Sequence, residues 1–287
     1  MEYSTHVSLK SYLDDLDADI PMNDIDAWVR FPDHRQVYNK LWLAETQGIP
    51  CGPMGIFPKE YPVIFKPIIN LYGMSRGIKV IYSDSEYDAN IRDGMFWSKF
   101  LVGTHRCIDL IIKNGRIVFS SSLISYSSSN LDGSFDYHES DPNYEITADI
   151  REWIEVFLDD YVGCVNLETI NDKIIEIHLR LNGDSHLYDK DFANELILFF
   201  KGKRDHVDIK IKKKYLIPLF VEKHINPENI NPKRILEICN SFQIMTVEFD
   251  DIDSKYQSEY RSRLLMLESF DLNFGMKCRE KIMEELV

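Results

Sequence analysis

No run of apolar residues in this 287-residue chain approaches the roughly 20 needed to cross a bilayer. The N-terminus MEYSTHVSLKSYLDDLDADI lacks the basic-then-apolar order of a secretory leader. A cytoplasmic protein with no membrane partner is the expectation. Positive charge is also scarce. Against 47 Asp and Glu stand 33 Lys and Arg, a formal net charge of -14 whose bulk potential repels nucleic acid and acidic membranes. Nucleic acid is therefore not an expected partner. The cysteines Cys51, Cys107, Cys164, Cys239 and Cys278 are odd in number and scattered, with no paired spacing that suggests zinc. They read as free thiols, some of them buried. There is no internal repeat, and the Gly-Lys-Ser/Thr order of a Walker-type phosphate loop is missing.

What is present is a composition of 44% hydrophobic and 12% aromatic residues, enough for a large core or two linked lobes. Residues 1–32 are acidic and irregular. PDHRQVYNKLWLAETQGIP then reads as a helix with Asp33 as N-cap and Gly48 as its stop. YPVIFKPII and IKVIYS read as strands joined by the turn-rich NLYGMSRG. MFWSKFLVG, HRCIDLIIKNG and RIVFSSSLIS are further strands, with Asn114-Gly115 as a hairpin turn. The Ser-rich stretch 120–134 leads into a polar, mobile loop ending near Tyr144. TADIREWIEVFLDDY and DKDFANELILFFKGK are amphipathic helices, the second closing at Gly202, and CVNLETINDKIIEIHLRL is a hairpin turning near Asn171 and Asp172. The remainder mixes strands in HVDIKIKKKYLIPLFV and IMTVEF with helices starting near Pro232, Ser254 and Asn273. Antiparallel hairpins mingled with helices argue an α+β fold.

Two stretches carry chemistry. In KIIEIHLRLNGD, residues 173–184, Ile175, Ile177, Leu179 and Leu181 alternate with Glu176, His178, Arg180 and Asn182, so a strand here has one apolar face and one face of ligand-type groups. A turn centred on Asp172 sets Glu168 opposite Glu176 and Asn166 opposite His178. Facing carboxylates repel unless a cation lies between them, and an oxygen-ligated ion such as Mg²⁺ suits, with Arg180 beside it to meet phosphate. A solvated polar face is the competing reading. Lys66 ends an otherwise apolar strand and needs a counter-charge or an exit to water, and the amides of GMSRG with Ser75 and Arg76 suit a phosphate there.

In this order the pieces resemble the ATP-grasp family of carboxylate-amine ligases and carbamoyl phosphate synthetases over residues 33–202. YNKLWLAETQGIP looks like the helix before that family's ATP-binding domain, and YPVIFKPIINLYGMSRGIKVI resembles its Lys-Pro strand with a glycine-rich phosphate loop. SKFLVG resembles the hinge whose backbone meets adenine, and GCVNLETINDKIIEIHLRLNG the metal-binding hairpin. The resemblance implies two lobes of antiparallel sheet and packed helices clasping ATP, with a lid subdomain over about 60–105. It implies that Lys66 contacts the α/β-phosphates, that Ser75, Arg76 and Gly77 belong to the phosphate lid, and that Lys99, Phe100 and Leu101 line the adenine hinge. Glu168, Glu176 and His178 become the metal ligands, Arg180 steadies the transferred phosphoryl group, and Arg35 is the early basic residue that reaches ATP.

The implied activity joins a small-molecule or peptide carboxylate to an amine through an acyl-phosphate, with ATP and Mg²⁺ as cofactors and Mn²⁺ the alternative. The chain departs from the family pattern at several points. Ser98 replaces the hinge Glu. His105 stands where a carboxylate meets the ribose, a role left to His105 itself or to Asp109. His178 replaces the metal-binding Asn, and imidazole suits Mn²⁺ or Zn²⁺ better than Mg²⁺. Family members carry an N-terminal α/β lobe, in place of which the resemblance finds only the acidic segment 1–32. Residues 203–287 are an extension expected to serve as a substrate or partner lobe. Its Lys210, Lys212, Lys213 and Lys214 read as a solvated strand face, and His206 and His224 as surface residues. A protein partner or homo-oligomer is compatible with this reading. A degenerate ATP-grasp-like binding protein, or an unrelated α+β interaction protein, are the alternatives.

Overall fold

The computed structural model describes residues 20–127, 134–182, 188, 190–222, 230–250 and 261–286. Two antiparallel sheets organise them. The small sheet has the order β1 (Cys51–Pro53), β4 (Met95–Lys99), β2 (Val63–Pro67), β3 (Lys79–Ile81). The large one contains β5 (His105–Lys113), β6 (Arg116–Tyr126), β7 (Tyr137–Ser140), β8 (Val162–Ile170), β9 (Lys173–His178), β10 (Tyr215–Glu222), β11 (Thr246–Phe249) and β12 (Arg261–Ser269). Its order is β11-β12-β10-β7-β6-β5-β8-β9. The fold is α+β, as the mingled hairpins and helices predict. No helix among the described residues is long and apolar enough to cross a membrane.

Turn chemistry sets the register of the central strands. Asn114 and Gly115 both take positive φ, 52° and 72°, and Asn171 and Asp172 take 46° and 61°, so each pair forms a tight hairpin turn of the hand that matches strand twist. The second turn places Glu168 against Glu176 and Asn166 against His178, the expected pairs. A shift between Glu168 and Thr169 then puts Ile174, not Ile175, opposite Thr169. This bulge corrects the simple alternation: Ile174 joins Ile177 and Leu179 in the core, Ile175 is half-buried at the irregularity, and Leu181 packs on the opposite face.

Helices cover both faces. Residues Ile108, Leu110, Val165 and Leu167 pack against Ile150, Trp153 and Ile154 of α4 (Ala148–Phe157), whereas Ile111, Phe119 and Cys164 meet Phe192, Leu196 and Phe199 of α5 (Lys190–Phe200). The small sheet buries Val63, Phe65, Ile81 and Trp97 with Tyr87 of α3 (Asp84–Asn90). Toward the C-terminus, α6 (Pro232–Ser241) and α7 (Leu272–Leu286) cover β10 and β12 through Ile235, Ile238, Cys278 and Ile282. The described residues beyond 203 thus feed β10, β11 and β12 into the large sheet, joined through the β7–β10 pairing. All five cysteines are free and four are buried.

Several local expectations are corrected. The segment expected to be one helix from Asp33 is a 3₁₀ helix (Pro32–Tyr38) followed by α2 (Lys40–Thr46), because Asn39, whose side chain accepts from Trp42 N at 3.0 Å, caps a new start. Part of the acidic leader is a helix, α1 (Asp24–Arg30), capped by Asn23. The polar stretch before Tyr144 contains strand β7. The expected strand from His206 starts only at Tyr215. A helix starting near Ser254 lies outside the described residues, and the chain from Arg261 is a strand. His206 is exposed, and His224 lies outside the described residues. Lys213 pairs with Glu139, and the half-buried Lys214 pairs with the buried Glu268, both at 2.6 Å, so the lysine run is not wholly a solvated face.

The link between the sheets is fixed by the hairpin turn. Asn171 accepts from Thr104 N at 2.9 Å and donates to Val102 O at 3.0 Å, gripping the strand exit around Gly103. Gly103 has φ +147°, and a Cβ there would overlap the Asn171 amide. Gly103→Ala is expected to cost about 2 kcal/mol through backbone strain and displacement of Asn171. Equilibrium denaturation checks this, and an unchanged midpoint contradicts it.

Candidate functional site

Lys66, Glu168, Glu176 and His178 converge where the small sheet meets the β8–β9 hairpin. Lys66 lies on β2 and donates to the hairpin's Ile175 O at 3.4 Å, with its ammonium 5.5 Å from the centre of the Phe96 ring. It is buried. Desolvation, and then the like charge of Lys40, push its pKa down to about 8 against the pull of Glu176 and Glu168. Lys40, the first residue of α2, is equally buried and meets Glu176 Oε1 at 2.7 Å.

Ligand atoms of Glu168, Glu176 and His178 lie within 4.8 Å of one another. Two carboxylates at that spacing repel by about 3 kcal/mol at an effective dielectric of about 20. The closer Lys40 contact outweighs this, and His105 Nε2 stands 3.4 Å from Glu168 Oε2. Burial alone would raise the Glu168 pKa, but His105 and His178 hold it well below the usual carboxylate range.

Behind the hairpin lies a carboxylate that sequence reasoning did not single out. Asp24, on α1, is buried and accepts from His178 Nδ1 at 3.0 Å, from Arg180 Nη2 at 2.8 Å and from Tyr38 Oη at 3.3 Å. Burial opposes its charge, but His178 and Arg180 hold its pKa far below the ordinary value. For His178, burial and Arg180 disfavour the imidazolium; Asp24 and Glu168 outweigh them and push its pKa up from 6.5 to about 9. Arg180 also donates to Leu181 O at 2.8 Å, so its guanidinium faces Asp24 and the backbone.

The remaining residues of the expected site are spread along the small sheet and its approaches. Arg35 donates to Trp28 O at 2.6 Å and lies over the Trp28 ring, tying the 3₁₀ helix to α1. The basic side chain of this segment that reaches the carboxylates is Lys40. Ser75 and Gly77 take positive φ, 50° and 70°, in the loop after β2, and Arg76 lies over the Tyr72 ring. In the expected hinge, Lys99 N donates to Pro50 O at 2.7 Å and Phe100 N to Pro62 O at 3.4 Å, while Leu101 packs near Phe96. Asp109 is buried and engaged by Tyr188 Oη, Asn166 Nδ2 and Asn182 N. The signal for Lys40 was a lysine at the start of an apolar-periodic helix, and for Asp24 an acid just after the helix cap Asn23. Neither was distinguishable from a surface charge without the tertiary contacts.

The donor set fits a divalent cation. An octahedral ion with ligand bonds of about 2.1 Å places neighbouring donors about 3 Å apart and opposed ones about 4.2 Å apart, a modest contraction from the observed spread. Two carboxylates and an imidazole are usual ligands, and Lys40 holds one Glu176 oxygen at 2.7 Å.

No protein-family model matches the sequence, and no curated protein matches it. Solved structures do match the fold. An N5-carboxyaminoimidazole synthetase from Staphylococcus aureus complexed with ADP superposes with a TM-score of 0.59 at 10% identity, over 88% of this chain and 72% of that one. An L-amino acid ligase from Bacillus licheniformis gives 0.57 at 12% identity, over 88% and 71%. An N5-carboxyaminoimidazole ribonucleotide synthetase from Thermotoga maritima gives 0.56 at 10%, over 98% and 79%. The chain has the ATP-grasp fold.

The raised pKa of His178 makes a pH signature. Its ion pair stabilises the metal-free protein fully below pH 6.5 and is lost as pH rises through about 9. The stability difference between wild type and His178→Asn is expected to shrink over that window by on the order of 3 kcal/mol. Taking the difference removes Lys66, whose lowered pKa works in the opposite sense above pH 8. Urea unfolding at stepped pH tests this; a constant difference contradicts it.

Proposed function

We propose that the chain is an ATP-dependent ligase joining a carboxylate to an amine through an acyl-phosphate intermediate. The observation that carries this reading is the convergence of Lys66 from the small sheet and Lys40 from α2 on the paired carboxylates of the large sheet, within an ATP-grasp fold. Support comes from similar structures whose names describe a ligase and a synthetase holding ADP.

Lys66 and Lys40 supply positive charge for the phosphates of ATP, the first of them desolvated so that its field is little screened. Glu168, Glu176 and His178 would hold Mg²⁺ or Mn²⁺, which would there supply positive charge against the phosphates. The loop with Ser75, Arg76 and Gly77 would cover the triphosphate, and the segment Lys99 to Leu101 would be the adenine edge, the Lys99 and Phe100 amides being already donated to Pro50 O and Pro62 O. A substrate carboxylate oxygen attacks the γ-phosphorus as the bond to ADP breaks. The amine then attacks the acyl carbon, inorganic phosphate leaves, and the amine proton passes to solvent or phosphate. The work of the residues is to orient the reactants and neutralise charge.

A second reading, a nucleotide-binding or structural protein without turnover, is favoured by Arg180. The resemblance casts Arg180 as the phosphoryl-steadying residue, yet its guanidinium is committed to Asp24 and Leu181 O.

Hydroxylamine separates the two readings without knowledge of the amine, since it converts an acyl-phosphate to a hydroxamate and phosphate. With ATP, Mg²⁺ or Mn²⁺ and a panel of amino and dicarboxylic acids, the ligase forms a hydroxamate that Glu176→Gln reduces at least about tenfold. ATP binding with no hydroxamate for any acid supports the second reading as a nucleotide-binding protein, and no ATP binding sinks the ligase reading and leaves the structural one.

The depressed Lys66 pKa adds a calorimetric signature. Phosphate beside Lys66 restores its charge, so nucleotide binding near pH 8.5 takes up a fraction of a proton that is much smaller at pH 7.5. Titration in buffers of different ionisation enthalpy measures this uptake. Lys66→Arg removes it, and equal uptake by wild type and variant contradicts the assignment.

A further inference from the structure

We infer that Asp24 makes His178 a true metal ligand and thereby turns the carboxylate site toward a first-row transition ion of the manganese kind, away from magnesium. The argument starts from burial. His178 and Asp24 are both nearly inaccessible to water, and one Asp24 oxygen faces His178 while the other is held by the Arg180 guanidinium. An ionised carboxylate only accepts, so the Nδ1 that lies 3.0 Å from it carries a proton. Nε2 is then the atom that can exchange its proton for a cation, and it lies at the carboxylate cluster, 3.7 Å from Glu176 Oε1 and 3.9 Å from Glu168 Oε1. Both separations exceed hydrogen-bond length.

Asp24 behind Nδ1 and the carboxylate cluster before Nε2 form the arrangement in which an outer carboxylate orients a metal-bound histidine and raises its basicity. The cluster is more than a group of acids, because a buried nitrogen donor is aimed into it and oriented from behind. Arg180 strengthens the arrangement by holding the other Asp24 oxygen at 2.8 Å, and Tyr38 braces it through both Asp24 and Leu179 N. Asp24 is a positioning residue and touches no metal itself.

Two oxygens and one imidazole nitrogen match the preferences of manganese, cobalt or zinc, whereas magnesium prefers oxygen ligands and retains water. Sequence position hides this device. His178 and Asp24 are separated by 154 residues, and only the packing of α1 behind the hairpin joins them. The role of this ion as counter-ion to a nucleotide rests on the ligase reading; its binding to the protein does not.

The test uses the full chain without nucleotide, with Mn²⁺ alone and Mg²⁺ alone as probes. Loss of the free manganese spin-resonance signal measures binding, and magnesium affinity follows from competition. Manganese is expected to bind at least about tenfold more tightly than magnesium, and pulsed spin resonance of wild type is expected to show coupling to a directly bound nitrogen-14. His178→Asn should weaken manganese about tenfold while moving magnesium less than about threefold, and Asp24→Asn should weaken manganese by about 10- to 100-fold. Asp24→Glu, which keeps the charge, should recover part of that loss. The wild-type nitrogen coupling needs no variant, so an Asp24 variant that fails to fold leaves the inference testable. Equal manganese and magnesium affinities, or bound manganese without nitrogen coupling, overturns it. Nitrogen-coupled manganese in a protein that never binds ATP would support this inference while sinking the ligase reading. ATP binding with no metal discrimination would do the reverse.

Discussion

Two glutamates facing one another across a single rung of the β8–β9 hairpin are the constraint from which the rest of the site follows. The Asn171-Asp172 turn fixes the register, the register fixes Glu168 against Glu176, and the repulsion must be met by cations. Lys40 arrives from α2, Lys66 from the small sheet and His178 from the same hairpin. His178 draws in Asp24, and Asp24 draws in Arg180. Cations and carboxylates thus run interleaved from the small sheet through the hairpin to α1, and the like-charge contacts of Lys66 with Lys40 and of His178 with Arg180 are opposed by Glu176, Glu168 and Asp24.

That chain of charges also explains how the sheets are held together. The hairpin accepts Lys66 through Ile175 O, and its turn grips Val102 and Thr104, so the same hairpin carries the carboxylates and anchors the connection between the sheets. The position of the Lys66 ammonium relative to the carboxylates is therefore set by backbone geometry more than by long flexible side chains. Such preorganisation is what electrostatic catalysis on a triphosphate requires.

Much of this was legible locally. The Asn-Gly and Asn-Asp turns, the facing glutamates and the lysine at the end of an apolar strand all follow from period and turn chemistry, and each stands in the structure where the sequence predicts. The bulge at Ile175 was not legible, because an alternating pattern cannot report an inserted residue that leaves both faces chemically plausible. Lys40 and Asp24 were hidden for a different reason. Each sits at the start of a short helix, where a charge is ordinary, and becomes informative only when tertiary packing buries it. Strands β7 and β12 were missed because polar and mixed sequences such as YHES and RSRLLMLES gain strand character from their neighbours in the sheet. Superposition on synthetase and ligase structures at 10–12% identity secures the fold, while the chemistry must rest on the charges themselves.

The most direct test of the account is a crystal structure of the protein with a non-hydrolysable ATP analogue and a divalent cation. The account predicts a triphosphate between the small sheet and the β8–β9 hairpin, with Lys40 and Lys66 on its oxygens and Glu168 and Glu176 on the ion. A nucleotide bound elsewhere, or none at millimolar concentration with the Lys40–Glu176 pair intact, would contradict it.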